Sequence, residues 1–375
     1  MTRHYLDHNA TSPLRPEVID AVCEAMRYDG NSSSVHEEGR AARARVEEAR
    51  EKVRKLVNAP VNGVIFTGGG TEAIHYALHG TAMNGTAKKI FVSAIEHAAV
   101  PGNAATTGLP VETVPATSEG LVDLIALKAA VSKETEPFLM CLMLANNETG
   151  AIQPVREAAD IVHDAGGLLF VDAAQAVGKI PVNYVMLGAD FMAMTGHKFG
   201  GPVGVGALIV GPNLPLAPVM RGGGHESNRR AGTHNVPAIV GLGVACDLAA
   251  DSLARASEIA AMRDAMQAAA ETAGARVWGK DVERLPGTLC LTAPGFTGET
   301  QLMSMDLAGI AISSGSACSS GKAKPSHVLS AMGCEEADAK CGVRISLGWS
   351  SAADDADAFA REWPAAYDRA KAEAA

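Results

Sequence analysis

The sequence predicts an α/β protein with a largely parallel sheet covered by helices. Between about residues 62 and 210, short β-type runs alternate with helical patterns, the spacing of strand–helix–strand crossovers. The 375 residues suffice for a large domain plus a smaller one. A composition of 47% apolar and 20% charged residues is that of an ordinary globular chain.

In order, Val64 to Thr67, Lys89 to Ser93, Val111 to Val114, Phe138 to Leu144, Leu168 to Val171, Phe191 to Met194 and Val205 to Val210 read as strands. Ala73 to Met83, Asp123 to Val131 and Val155 to Ala165 read as helices between them. Pro237 to Ala273 reads as one long alanine-rich helical stretch bridging to a second domain. Beyond it, Thr288 to Leu291, Ile310 to Ser313 and Val343 to Ser346 look like strands of a smaller unit, closed by an amphipathic helix from Asp354 to Ala374. In parallel sheets, ligands bind at the carboxyl ends of the strands. Asp172, His97 and the Gly68 loop all fall just after predicted strands, so one mouth is expected to collect them.

A formal net charge of −10 and a pI near 5.6 argue against nucleic acid or an anionic membrane as partner. A phosphate site here is expected to use backbone N–H groups. Seven scattered cysteines, odd in number and without a C-x-x-C pair, suggest a reducing compartment. The residues from Met1 to Asp7 hold no apolar core of signal-peptide length, and the longest apolar run, Phe138 to Ala145, is short of the ~20 residues that span a bilayer. A cytoplasmic protein is expected.

Lys198 sits between two apolar strand-like runs with glycines on both sides. A lysine held there loses hydration, which lowers its pKa by up to ~3–5 units and makes the amine a nucleophile toward carbonyls. The run Leu168 to Gln175 ends in an acid and an amide, Asp172 and Gln175. A Schiff-base lysine with an acid for a pyridinium nitrogen is the protein's side of pyridoxal phosphate (PLP) chemistry. Phe66-Thr-Gly-Gly-Gly-Thr71-Glu72 follows a strand and opens a helix, where an anion fits beside Gly69, Gly70 and Thr71. Thr71 as a plain helix cap is the bland alternative. His97, after Glu96, suits proton relay near a flat cofactor, or merely caps the next helix. Arg344 interrupts an apolar strand and matches either a substrate carboxylate or a structural ion pair. His75 and His79, four apart on one helix, lack a third metal ligand, so no metal is expected. Cys318 lies in the Gly/Ser-rich run Ser313 to Lys322, where an accessible thiol is expected, with Lys322 and Lys324 nearby to favour the thiolate. Cys23, Cys141, Cys246, Cys290, Cys334 and Cys341 read as small buried hydrophobes.

With these residues in view, the chain resembles the NifS/IscS-type cysteine desulfurases of the class V aminotransferase family. The marks run nearly end to end: Tyr5-Leu-Asp-His-Asn-Ala-Thr11, Asn31 to His36, Gly70-Thr71-Glu72, Glu96-His97, Asn146-Asn-Glu-Thr-Gly150, Val171-Asp-Ala-Ala-Gln175, Gly196-His-Lys198, Gly222 to Glu226, Arg230-Ala-Gly-Thr233 and Ser313 to Cys318. The resemblance implies the PLP-dependent transferase fold of the aspartate aminotransferase type (fold type I). Its large domain, residues 15–255, would carry a mainly parallel seven-stranded sheet. Residues 1–14 and 256–375 would form a small α/β domain bearing the cysteine loop. It implies that Lys198 holds PLP, Asp172 pairs with the pyridine nitrogen, Gln175 meets the ring oxygen and His97 stacks on the ring. Gly70, Thr71, Thr195 and His197 would bind the phosphate, with Thr233 from a second subunit of a homodimer. Asn147 and Arg344 would hold the substrate L-cysteine, and Cys318 would take its sulfur. The partner implied is an iron–sulfur scaffold or another sulfur acceptor, with no resident metal; Cys318 would at most ligate a cluster in transfer. Ser32, Gly68 to Gly70, Thr195 and Trp349 depart from the commonest family residues, Thr195 keeping the hydroxyl of the usual serine. Alternatives are a selenocysteine lyase or plain aminotransferase of the same fold, a catalytically silent scaffold, and a nucleotide-binding dehydrogenase. The Cys318 loop disfavours a plain aminotransferase, and the incomplete glycine fingerprint disfavours a dehydrogenase.

Overall fold

Strand Phe138–Met143 is buried at every residue, and it lies in the middle of the protein. The computed structural model describes residues 3–314 and 325–374. Among the described residues, seven strands form one sheet in the order Val64–Thr67, Gly206–Val210, Phe191–Thr195, Leu168–Asp172, Phe138–Met143, Lys89–Ser93, Val111–Val114. The five from Phe191–Thr195 to Val111–Val114 pair in parallel, and Gly206–Val210 runs antiparallel to both its neighbours. Alternate residues point to opposite faces. Met140, Leu142, Val171 and Met192 pack into one core layer, and Leu139, Cys141, Phe170 and Phe191 into the other.

Strand Thr288–Thr292 pairs antiparallel with Gly342–Ser346 on one side and Arg276–Trp278 on the other, and Ser313–Ser314 extends the same sheet. Helix Ala353–Ala374 covers it with Phe359, Trp363 and Tyr367, spaced four apart on one buried stripe. Tyr367 stacks on Phe296 at 5.7 Å between ring centroids. Leu6 is buried in this second core, because His4–Tyr5 pairs with Ile310–Ala311 and Asp7 bridges to Ser346.

Three expectations need correction. The stretch from Pro237 to Ala273 is two helices, Val236–Ala254 and Ala256–Ala273. The break is at Arg255, whose ψ of 3° leaves the helical region while its guanidinium donates to Trp349 O and Ser351 O. The strand expected from Ile310 to Ser313 is split between two sheets at Ile312. Cys23 is exposed rather than buried, since helix Pro16–Ala25 turns Val18 and Ala25 inward and Cys23 outward. Sequence reading also passed over Pro16–Ala25 and Glu37–Val57 as elements. Helix Val236–Ala254 is long and apolar enough to cross a membrane by length and composition. Half of its most apolar window is buried inside the protein, where it packs on both of those helices.

The carboxyl ends of the parallel strands open at one edge of the large sheet, and the segment from Asp7 to Ser12 crosses that edge. It is held by Ser12 N donating to His197 O at 2.7 Å and by Asn9 N donating to Ser346 Oγ at 2.9 Å.

Candidate active site

A cavity of about 240 Å³ opens at those strand ends, and its walls contain nearly every residue singled out in the sequence. Asp172, the last residue of its strand, lines it with a buried carboxylate that accepts Ala174 N–H at 2.9 Å. Burial raises the Asp172 pKa, while that N–H and the charges of His97 and Lys198 pull the other way. A buried carboxylate in this state gains by facing a cation, the role a pyridinium nitrogen would fill.

Lys198 ends the turn Gly196–Lys198 that follows Phe191–Thr195. Its amine donates to Asn9 O at 2.6 Å and Ala10 O at 2.8 Å, so the crossing segment holds it at the cavity wall. His97 lines the same cavity, and its Nδ1 accepts Ala99 N–H at 3.2 Å. The capping and the cofactor-facing readings of this histidine are therefore compatible. With Nδ1 an acceptor, the neutral ring carries its proton on Nε2. Burial lowers the His97 pKa, helped by Lys198, His327 and Arg344 and opposed by Asp172.

Gly70 and Thr71 bring the start of the helix Gly70–Met83 to the same cavity. Gly69 has φ +147°, a conformation that side-chain-bearing residues rarely adopt, and this turns the chain from strand into helix. Thr71 is not the cap: Gly69 holds that position, with no side chain closing the first turn. The free N–H groups there, with Thr195 and His197 beside them, suit an anion. Glu72 does not spoil this, because its Oε2 accepts Gly68 N–H at 2.6 Å and its Oε1 pairs with Arg230 at 2.8 Å. Burial pushes His197 down to about 4, helped by Lys198 and Lys179.

Asn147 lines the cavity, and its Oδ1 is buried without a partner among the described residues. Arg344 donates to Asn147 O at 3.0 Å and pairs with Asp7 at 2.9 Å, leaving its buried Nε unpartnered. The structural ion pair expected for Arg344 is thus present, with Asp7 as its partner. The unpartnered Asn147 Oδ1, with an acid, an amide and a helix start lining the same cavity, fits PLP and an amino-acid substrate. Thr233 is exposed and lines no part of its own chain's cavity. Cys318, with Lys322 and Lys324, lies outside the described residues. His75 and His79 bond instead to Asn103 and Thr106, and no metal-ligating cluster occurs among the described residues.

Several residues at the site were not legible beforehand. Asn9 joins Lys198, Gln175, Lys179 and Asn147 through its backbone and side chain. Lys179 follows Gln175 by four residues, a spacing that could have flagged it. Glu148, in the turn after Asn147, accepts Ser326 Oγ–H at 2.5 Å, and His327 meets Glu96 O at 2.8 Å. Burial raises Glu148 to about 7 from an ordinary 4.5, against the pull of Ser326 and Arg344. Between those values the folded protein binds more protons than the unfolded chain, so this group makes stability fall as pH rises, by at most about 1.4 kcal/mol per unit. Glu148→Gln is expected to remove that decline. Denaturant midpoints from about pH 5 to 8 check it; parallel curves for the two proteins would contradict it.

The family model for class V aminotransferases matches residues 4–359. The chain belongs to the class V aminotransferase family. It is thereby a PLP-dependent enzyme of fold type I. Within this class V family it is 38% identical to an IscS-like cysteine desulfurase of Mycobacterium tuberculosis, over 98% of this chain and 97% of the relative. The solved NifS-like protein of Rickettsia africae superposes with a TM-score of 0.91 at 31% identity, covering 98% of this chain and all of that one. The structure of SspA in complex with cysteine gives a TM-score of 0.81 at 28% identity, covering 92% and 98%.

Proposed function

We propose that this class V enzyme is a cysteine desulfurase, releasing L-alanine from L-cysteine and retaining the sulfur on Cys318. The observation that carries this reading is the joining of Lys198, Asp172, His97 and the Gly70–Thr71 helix start in one cavity, in a chain whose relatives are cysteine desulfurases. PLP, when bound, supplies an electron sink for the substrate Cα. Lys198 holds it and moves the Cα proton. Asp172 keeps a proton on the pyridine nitrogen, and Gln175 meets the ring oxygen. His97 covers the ring and relays protons through Nε2. Gly70, Thr71, Thr195 and His197 hold the phosphate, joined by Thr233 of a second copy. Arg344 and Asn147 fix the substrate carboxylate.

The Cys318 thiolate attacks the substrate sulfur. The carbon–sulfur bond breaks with its electron pair left on Cβ, which is protonated to the methyl of alanine. Cys318 keeps the sulfur as a persulfide for transfer to an acceptor protein, such as an iron–sulfur scaffold. The enzyme works as a cytoplasmic homodimer, with residues 15–255 as the large domain and 1–14 plus 256–375 as the small one. The joint at Arg255 and the burial of Leu6 in the second core support that division. Incubation with L-cysteine and a reductant should yield alanine and sulfide in equal amounts. Alanine without sulfide, or neither product, would refute the assignment.

A further inference from the structure

Lys179 is held by two oxygens, Gln175 Oε1 and Asn9 Oδ1, each at 2.6 Å. A lysine amine donates here whether it carries two protons or three, so the side of Gln175 that meets it is the carbonyl. The amide nitrogen is thereby turned away and gives one proton to Asn9 O at 2.9 Å. Its second proton is left for the cavity that Gln175 lines.

We propose that Lys179 is a positioning residue: it locks Gln175 with an N–H presented to the cofactor's ring oxygen. This rests on the reading of the cavity as a PLP site. The groups facing Lys179 come from three elements: Lys198 and His197 from the turn Gly196–Lys198, Arg344 from Gly342–Ser346, and Asp7 and His8 from the crossing segment. Asp7 is the acid in this set, and it is paired with Arg344. Burial, with Lys198 and Arg344 close by, pushes the Lys179 pKa well below that of a free lysine, so its part is to fix Gln175 rather than to add charge. That oxygen shares a proton with the nitrogen of Lys198 once PLP is attached. A donor beside the oxygen would weaken its hold on the proton, so the cofactor's colour change with pH is expected to have a lowered midpoint.

The test compares PLP-loaded wild type, Lys179→Met, Lys179→Arg and Lys179→Gln by visible absorbance across pH. Lys179→Met is expected to raise the midpoint by about one unit, the size of losing one oriented hydrogen bond to a charged oxygen. Lys179→Arg should stay near wild type, and Lys179→Gln should shift less than Lys179→Met. In a Gln175→Ala background the Lys179→Met shift should shrink by about half or more, as coupled neighbours do. An unchanged midpoint in the methionine variant, or an undiminished shift without Gln175, would overturn the proposal. If the methionine variant does not fold, Lys179→Ala is read in its place, and an unchanged midpoint there overturns the proposal equally. Wild-type protein that takes up no PLP would defeat the cofactor reading instead, which keeps the two failures distinct.

Discussion

Lys198→Ala protein is expected to be colourless after purification and to lose activity by a factor on the order of 10⁴ or more, the scale seen when a covalent catalytic group is removed. The reason is local. Lys198 is presented by a three-residue turn at the end of a buried strand, and its amine is aimed by two backbone carbonyls, Asn9 O and Ala10 O. The nearby Lys179 is engaged by side-chain oxygens on the far side of Gln175. The fold should survive: without Lys198, Asn9 O keeps its bond from Gln175 Nε2, and the loss of the donor to Ala10 O costs about 1–3 kcal/mol at most. Absorbance spectra and a thermal melt on the same sample check both parts. A yellow variant with near-normal turnover would contradict the assignment.

Cys318→Ser is expected to keep colour, PLP and L-cysteine binding while sulfide release falls to background, because a hydroxyl cannot accept sulfur as a persulfide. The other thiols offer little substitute. Burial raises the pKa of Cys141, Cys246, Cys290, Cys334 and Cys341, so each is held as an unreactive thiol. Cys23 is exposed on helix Pro16–Ala25 and lines no part of the cavity. Sulfide assayed alongside alanine decides the matter; sulfide production at the wild-type rate would mean that another thiol takes the sulfur.

The residues legible in the sequence are those whose chemistry conflicts with their local pattern. An acid and an amide ending an apolar strand marked Asp172 and Gln175, and a lysine between two apolar runs marked Lys198. The strand–glycine–helix succession marked Gly70 and Thr71. What stayed hidden depends on contacts far apart in the chain. Asn9 and Ala10 act on Lys198 through backbone carbonyls, which every residue has and no side chain announces. Lys179 looks like a solvated lysine at the end of a turn until Asn9, 170 positions away, closes over it. Glu148 sits in a polar Asn-Asn-Glu-Thr-Gly string that reads as an exposed turn, yet it is buried and bonded to Ser326. The break at Arg255 was invisible for a related reason. Alanine-rich periodicity continues through it, and the bend comes from carbonyls of Trp349 and Ser351 nearly a hundred residues on.

The central claim is that PLP attaches to Lys198, and the direct measurement is to find the labelled lysine. Protein reconstituted with PLP is reduced with borohydride to fix the bond, digested, and its peptides weighed. The pyridoxyl mass is expected on the peptide containing Lys198 and absent from the one containing Lys179. Label on Lys179, spread over surface lysines or missing altogether would contradict it.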